Sequence, residues 1–236
     1  LSLLPKSPVI DTHFSLRGTI IEELVQQFKE DWEFAGGNNF LNFPSAFPLK
    51  DPPDRFAGRV IIDGPDQEIP RLVKLWMIRI AEAKSTLRIV TPYFLPDRVL
   101  ISALNIAAMR GVKVEVILPR NNNLPWMYWA MRAQAWQLLQ FGVIIKETTL
   151  QFDHSKIFIV DNQYVTFGSS NWDARSFRLN FEINLEIDCV KSAAQLNEII
   201  DAKLKNSHTL LIEELDKRSL LIKMRDSFAR LFLPIL

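Results

Sequence analysis

The 236-residue sequence holds a single cysteine, Cys189, so it forms no internal disulfide, and one lone thiol suits a reducing compartment. No apolar run approaches the roughly 20 residues that a membrane-crossing helix needs. Neither sign of charge is in excess: 28 lysines and arginines face 27 aspartates and glutamates, for a formal net charge of +1. Dedicated nucleic-acid binders carry a clear basic surplus, so this balance argues against a nucleic-acid partner. Histidines number only three, and no His or carboxylate cluster shows metal-ligand spacing; no metal and no other cofactor is expected.

What remains is a chain built to bury a core. Hydrophobic residues make up 48% and aromatics 11%, the composition of a folded protein. The length suits one large domain, or one domain plus a piece of another. "VIDTHFSLRGTIIEELVQQFKEDWEF", residues 9–34, reads as a short strand, a turn at Gly18 and an amphipathic helix with Ile20, Ile21, Leu24, Val25 and Phe28 in helical phase. From Ala35 to Pro70 the pattern dissolves into Gly, Asn and Pro, interrupted only by the apolar run Val60 to Ile62.

Helices and strands then alternate. The periodicity predicts a helix over 68–84, a strand at "LRIVTPYFL", a helix over 97–109, a strand at "VKVEVIL", a helix over 125–141 and a strand at "GVIIKE". Two strands, "KIFIVD" and "YVTFG", follow around a tight turn at Asp161 to Gln163, then a strand near Phe181 to Ile187 and a helical tail from Leu196. The expected fold class is α/β, a layered domain with a mixed β-sheet flanked by helices on both faces.

The chemistry concentrates in "HSKIFIVDNQYVTFGSSN". Its spacing is His154-x-Lys156-x4-Asp161-x6-Gly168-Ser169-x-Asn171. Six fixed matches arise by chance in such a chain with probability on the order of 10⁻⁵. On a strand, His154 and Lys156 point to one face. A neutral imidazole is a nucleophile or an acid–base group at neutral pH. Attack by histidine on phosphorus would give a phosphohistidine and split one displacement into two. A lysine beside it would hold anionic phosphoryl oxygens, and the Asn171 amide would donate to another. His13 and His208 lack a lysine at this spacing and read as structural.

The run resembles the His-Lys-Asp signature of the phospholipase D superfamily, with its Gly-Ser-x-Asn extension. The resemblance implies catalytic roles for His154, Lys156 and Asp161, with Asp161 supporting geometry more than touching phosphate. It places Ser169 and Asn171 at the substrate and Glu182, in "RLNFEINLEI", on the catalytic imidazole. "TPYFLPDRVLISALNIAAMRGVKVEVILP", "DARSFRLNFEINLEI", "ARLFLPIL" and the opening "DTHFSLRGTIIEELVQQFKEDWEF" are similar to the back part of bacterial cardiolipin synthases.

In that superfamily two such motifs meet at one site, one histidine attacking phosphorus and the other protonating the leaving alkoxide. This sequence carries one, and it begins at Leu1. It is expected to be part of a two-motif enzyme: 1–45 the tail of a first half, 46–67 a linker, 68–236 the second half. The missing partner is an N-terminal half or a second chain. The nucleophile is generally assigned to the first motif, so His154 would be the acid/base partner. The branch implies phosphatidyl transfer, two phosphatidylglycerols giving cardiolipin and glycerol, at a bacterial inner membrane; a hydrolytic phospholipase D, a nuclease or an inactive lipid-binding half are the alternatives.

Two segments bear on the bilayer. "LPWMYWAMRAQAWQLLQF" packs tryptophans that either favour a membrane interface or form a buried stripe, with Trp126, Trp129, Ala133 and Trp136 facing the sheet. In the last twenty residues five basic groups accompany one acid, and Leu221, Met224, Phe228 and Leu231 share a helical face. That helix either lies on anionic lipid or docks against its own domain.

Overall fold

A computed structural model describes residues 8–38, 56–65, 70–149 and 151–232. In chain order the elements are α1 (Ile20–Phe34), β1 (Gly58–Asp63), α2 (Arg71–Glu82), β2 (Thr86–Val90), β3 (Phe94–Leu95), α3 (Arg98–Met109), β4 (Lys113–Pro119), α4 (Pro125–Gln134), α5 (Trp136–Leu139) and β5 (Ile144–Thr148). There follow β6 (Ile157–Val160), β7 (Tyr164–Gly168), β8 (Trp172–Asp173), α6 (Ala174–Arg178), β9 (Glu182–Asp188), α7 (Val190–Leu204), β10 (Ser207–Thr209), α8 (Ile212–Asp216) and α9 (Leu220–Leu231).

Eight strands form one mixed sheet in the order β1-β9-β7-β6-β2-β4-β5-β10, and β3 and β8 form a separate parallel pair. β2, β4 and β5 run parallel, as right-handed crossovers through α3 and α4 require, while β6, β7 and β9 are an antiparallel meander. Both faces are covered, so the central strands read as continuous apolar runs. In β6, Phe158 and Val160 enter the larger core under α2, α3 and α4, while Ile157 and Ile159 enter the smaller core with Ala193, Leu196 and Ile200 of α7. The expected mixed sheet with helices on both faces is therefore observed.

Local chemistry sets the boundaries. Asp97 caps α3 by accepting from the Leu100 amide at 2.9 Å, and Gly111, at φ 90°, supplies the left-handed residue after it. The three-residue β6–β7 turn, Asp161 to Gln163, places Asp161 and Asn162 at φ 51° and 55° and is closed by the Gln163 amide donating to the Val160 carbonyl at 3.1 Å.

Several expectations change. The stretch read as a linker contains β1, which pairs antiparallel with β9 from Gly58↔Ile187 to Asp63↔Glu182. Its run is short because Asp63 turns away to cap α2, accepting from the amides of Arg71 at 2.6 Å and Leu72 at 2.9 Å. Of that stretch, 46–55 and 66–67 lie outside the described residues. The strand "LRIVTPYFL" divides at Thr91–Pro92, where proline withholds a ladder donor, and β3 leaves the main sheet for β8. The tail helix begins earlier, at Val190, and gives way to β10, α8 and α9.

Of the three tryptophans in the stripe, Trp129 alone packs against the core, partly buried. α4 buries Met127, Ala130, Met131 and Gln134, and Gln134 donates to the Pro96 carbonyl at 2.7 Å, fixing the helix phase. Trp126 and Trp136 are 41% and 46% exposed.

Candidate active site

The loop before β6 is positioned by the opening segment of the chain. Ile10 forms a parallel bridge with Asp153; its amide donates to Phe152 O at 2.9 Å, and its carbonyl accepts from the His154 amide at 2.7 Å. Thr12 Oγ1 lies 2.8 Å from Ser155 Oγ. Lys203 of α7 joins the same cluster, reaching Asp153 at 2.6 Å, donating to Ser155 Oγ at 3.0 Å and lying 3.5 Å from Thr12 Oγ1. Backbone, hydroxyl and ion-pair contacts thus hold the backbone of the loop that carries His154.

His154 and Lys156 share the face of Phe158, and their side chains touch. The Lys156 ammonium lies 3.0 Å from Nδ1 and 3.2 Å from Nε2 and donates to the His154 carbonyl at 2.6 Å. Below Lys156 the indoles of Trp76 and Trp172 stack at 4.1 Å. The imidazole is flanked by the rings of Phe152 and Tyr93, centroids 5.8 and 6.4 Å away, and stays 40% exposed.

Burial and then the Lys156 charge push the His154 pKa below its ordinary value, against the opposing pull of Asp11. The ring is neutral at pH 7 and free to act as nucleophile or base. Burial likewise pulls Lys156 down to about 8, although Asp11, Glu182, Asp153 and Asp173 all favour its charged form. Asp173, which caps α6 through the Ser176 amide at 2.8 Å, is raised by burial to about 6.

The carboxylate at the imidazole is Asp11, whose Oδ2 lies 3.7 Å from His154 Nδ1. Glu182, expected there, is buried elsewhere: it accepts from the Ser169 hydroxyl and, at 3.0 Å, from Asn180 Nδ2. Ser169 in turn bonds the Ile183 backbone both ways, its amide donating to the carbonyl at 3.0 Å and its oxygen accepting from the amide at 2.9 Å.

Asn171 sits beside Tyr93, because the next residue, Trp172, donates its amide to the Tyr93 carbonyl at 3.2 Å. Its Nδ2, the donor expected for substrate, meets Ser176 Oγ at 3.2 Å, and its buried Oδ1 has no hydrogen-bond partner among the described residues. Asp161 stands at the far end of β6, which by itself spans ~13 Å. Its carboxylate accepts from the amides of Lys84, Ser85 and Thr86 and from the Ser85 hydroxyl, all within 2.9 Å. It stitches the β6–β7 turn to the start of β2.

The structure therefore gathers His154, Lys156, Ser169, Asn171 and Glu182 at one end of the sheet and sets Asp161 at the other. Sequence reasoning missed Asp11, Tyr93, Asp173 and Lys203. Asp11 lies in the "DTHF" segment that the resemblance had singled out, but nothing local tied it to the histidine. Among the described residues no group of three or more His, Cys, Asp or Glu side chains is placed to hold a metal ion.

A mixed sheet with a touching His–Lys pair at one end defines a phospholipase D-like fold. Solved structures agree: a phospholipase D family member, Nuc from Salmonella typhimurium, superposes with TM-score 0.56 at 22% identity, over 66% of this chain and 99% of that one. The phosphatidylserine synthase of Haemophilus influenzae gives TM-score 0.62 at 18% identity, over 94% of this chain and 56% of that one. Residues 77–204 match the family described as "Cardiolipin synthase, PLD-like domain", and the chain belongs to that family. The major cardiolipin synthase ClsA of Bacillus subtilis is 34% identical over 96% of this chain and 47% of its own length. Cardiolipin synthase 2 of Staphylococcus epidermidis is 32% identical over 96% and 46%. The chain thus spans about half the length of the curated relatives it matches.

Proposed function

We propose that this chain carries one half of a phosphatidyltransferase site that makes cardiolipin from phosphatidylglycerol. The observation that carries the reading is the His154–Lys156 contact at 3.0 Å: a neutral imidazole with an ammonium against it, at a partly exposed edge of the sheet. One histidine attacks the phosphorus of a phosphatidylglycerol, and the P–O bond to the headgroup glycerol breaks as the other histidine protonates that oxygen. The glycerol hydroxyl of a second phosphatidylglycerol then attacks the phosphohistidine, giving up its proton to the same acid/base group and restoring the first imidazole. Lys156 stabilises the phosphoryl oxygens, a preorganised charge of the kind worth ~10²–10³ in rate.

His154 serves as the acid/base member, entering the first step as the imidazolium form that Asp11 favours, and the second histidine comes from the remaining half of the protein or from a second chain. Residues 1–45 belong to that other half, and Asp11 is its contribution to this site, held against His154 by the Ile10–Asp153 bridge. Residues 68–236 form the second half, with β1 completing its sheet. Ser169 and Asn171 meet the substrate, with Glu182 accepting from the Ser169 hydroxyl to orient it. Acceptor choice, lipid over water, follows from an apolar rim that includes Tyr93 and Phe152. The setting is the bacterial inner membrane; no helix among the described residues is long and apolar enough to cross it.

The test is product analysis with the whole protein and labelled phosphatidylglycerol. Cardiolipin and free glycerol are expected, and His154→Ala loses at least ~10²–10⁴ in rate. Phosphatidic acid formed without cardiolipin would overturn the transferase reading in favour of a hydrolase.

A further inference from the structure

α9 is an amphipathic helix mounted with its apolar stripe outward. Only Asp226 and Ala229 are buried, and Asp226, fully buried, is clasped by the guanidinium groups of Arg218 and Arg225. Arg225 also lies 4.2 Å over the ring of Trp129 on α4. At ~100° per residue, Leu221, Met224, Phe228 and Leu231 fall on the side opposite that clasp. They are 79%, 60%, 62% and 74% exposed. The polar face docks, and the apolar face is left to the surroundings.

Charge and continuity say what those surroundings are. From Lys217 to Phe232 there are five basic residues and one acid, and that acid is the buried Asp226, so α9 shows the outside only cations. Beside the stripe, Trp126, Trp129, Arg225, Phe228, Ala229 and Phe232 line an apolar groove of about 260 Å³. The groove and the candidate site are linked through one short segment: Trp126 stands three residues after Asn123, whose side chain accepts from the Tyr93 hydroxyl at 2.7 Å, and Tyr93 borders His154. A large apolar stripe rimmed by cations and ending in an exposed tryptophan matches the chemistry of an anionic bilayer surface.

We propose that the α4–α9 face is a docking surface for an anionic lipid bilayer, which seats the mouth of the site at the headgroup level. This deepens the proposed phosphatidyl transfer and rests on it for the choice of a lipid partner. Vesicle sedimentation with the His154→Ala chain separates the two, since it reads binding without turnover. Binding to vesicles rich in phosphatidylglycerol is expected to exceed that to pure phosphatidylcholine at least tenfold.

Leu221→Glu with Phe228→Glu, both at exposed positions, lowers binding tenfold or more. Lys217→Glu with Lys223→Glu lowers it by about fivefold or more per charge. Ile106→Glu with Met109→Glu, on the exposed face of α3, leaves it unchanged. Undiminished binding by the Leu221/Phe228 variant overturns the proposal, as does equal binding to both vesicle types. So does a chain that is dimeric in solution, ignores vesicles and turns monomeric with Leu221→Glu and Phe228→Glu, because the face then joins two copies. Vesicle binding without cardiolipin synthesis by the unmodified whole protein upholds the surface and sinks the reaction.

Discussion

The Asp11 carboxylate lies 3.7 Å from His154 Nδ1, and the backbone carbonyl one residue earlier, at Ile10, accepts the His154 amide. The imidazole is therefore set between charges of opposite sign, with Lys156 at 3.0 Å and Asp11 slightly farther.

That arrangement fixes the sign of two substitutions on the His154 pKa. Asp11→Asn removes the charge that favours imidazolium, so the pKa falls further below its ordinary value. Lys156→Met removes a like charge, so it rises. Titration of the His154 ring signals by NMR reads both; shifts of the same sign in the two variants contradict the geometry. Because the folded-state pKa is depressed, the neutral ring's contribution to stability is present above the unfolded value and declines as pH falls below it.

Lys156 predicts an alkaline limit. With its pKa drawn down to about 8, the ammonium proposed to stabilise phosphoryl oxygens is lost above that pH. kcat/KM of the whole protein is expected to fall about tenfold per pH unit beyond it. Lys156→Arg keeps its charge at any such pH and abolishes the limb, while the altered fork geometry lowers the plateau. A limb that persists unchanged in the arginine variant assigns it to another group.

Much of this was legible in the sequence, for physical reasons that differ by element. β6 read correctly because a strand buried on both faces is a short unbroken apolar run, whereas His154 and Lys156 meet in the loop just before it, where the period of two does not by itself set their contact. β1 was lost among glycines and prolines because an edge strand with one covered face carries only a weak alternation. Between the two readings of the tryptophan stripe the sequence could not decide; Met127 and Met131 pack inward and leave Trp126 and Trp136 exposed. Glu182 was assigned to His154 by position, whereas Asp11 stands there; the contact joins distant parts of the chain, and no local pattern encodes it. For α9 the stripe was plain, but its direction depends on the Asp226 clasp with Arg218, visible only in three dimensions.

Gly168 illustrates a motif residue whose part is steric. A Cβ there would lie 2.3 Å from the Ile183 carbonyl oxygen and 2.5 Å from Asn184 Oδ1, far inside contact distance, as β7 closes on β9. Gly168→Ala must push the strands apart next to the Ser169–Glu182 hydrogen bond. A loss of about 1–3 kcal/mol is expected in urea unfolding, with activity reduced at temperatures where the fold persists. Unchanged stability would show that the strands separate freely.

Asp161, the third letter of the signature, is expected to act on the fold alone. It accepts four hydrogen bonds at the start of β2 and adopts φ 51°, a conformation that Asn tolerates and most residues do not. Asp161→Asn keeps the turn but weakens the clamp, and Asp161→Ala loses both, with about 1–3 kcal/mol expected for the alanine variant. Its backbone donors hold the carboxyl below its usual pKa, so the stabilisation exists above the unfolded value near 3.9 and is lost as pH falls through the folded one. The gap in melting temperature between the parent and Asp161→Asn should therefore close on acidification below about pH 4. Well below their melting temperatures both variants should turn over within a few-fold of the parent. A loss comparable to that of His154→Ala, in a variant still folded, would place Asp161 in the chemistry instead.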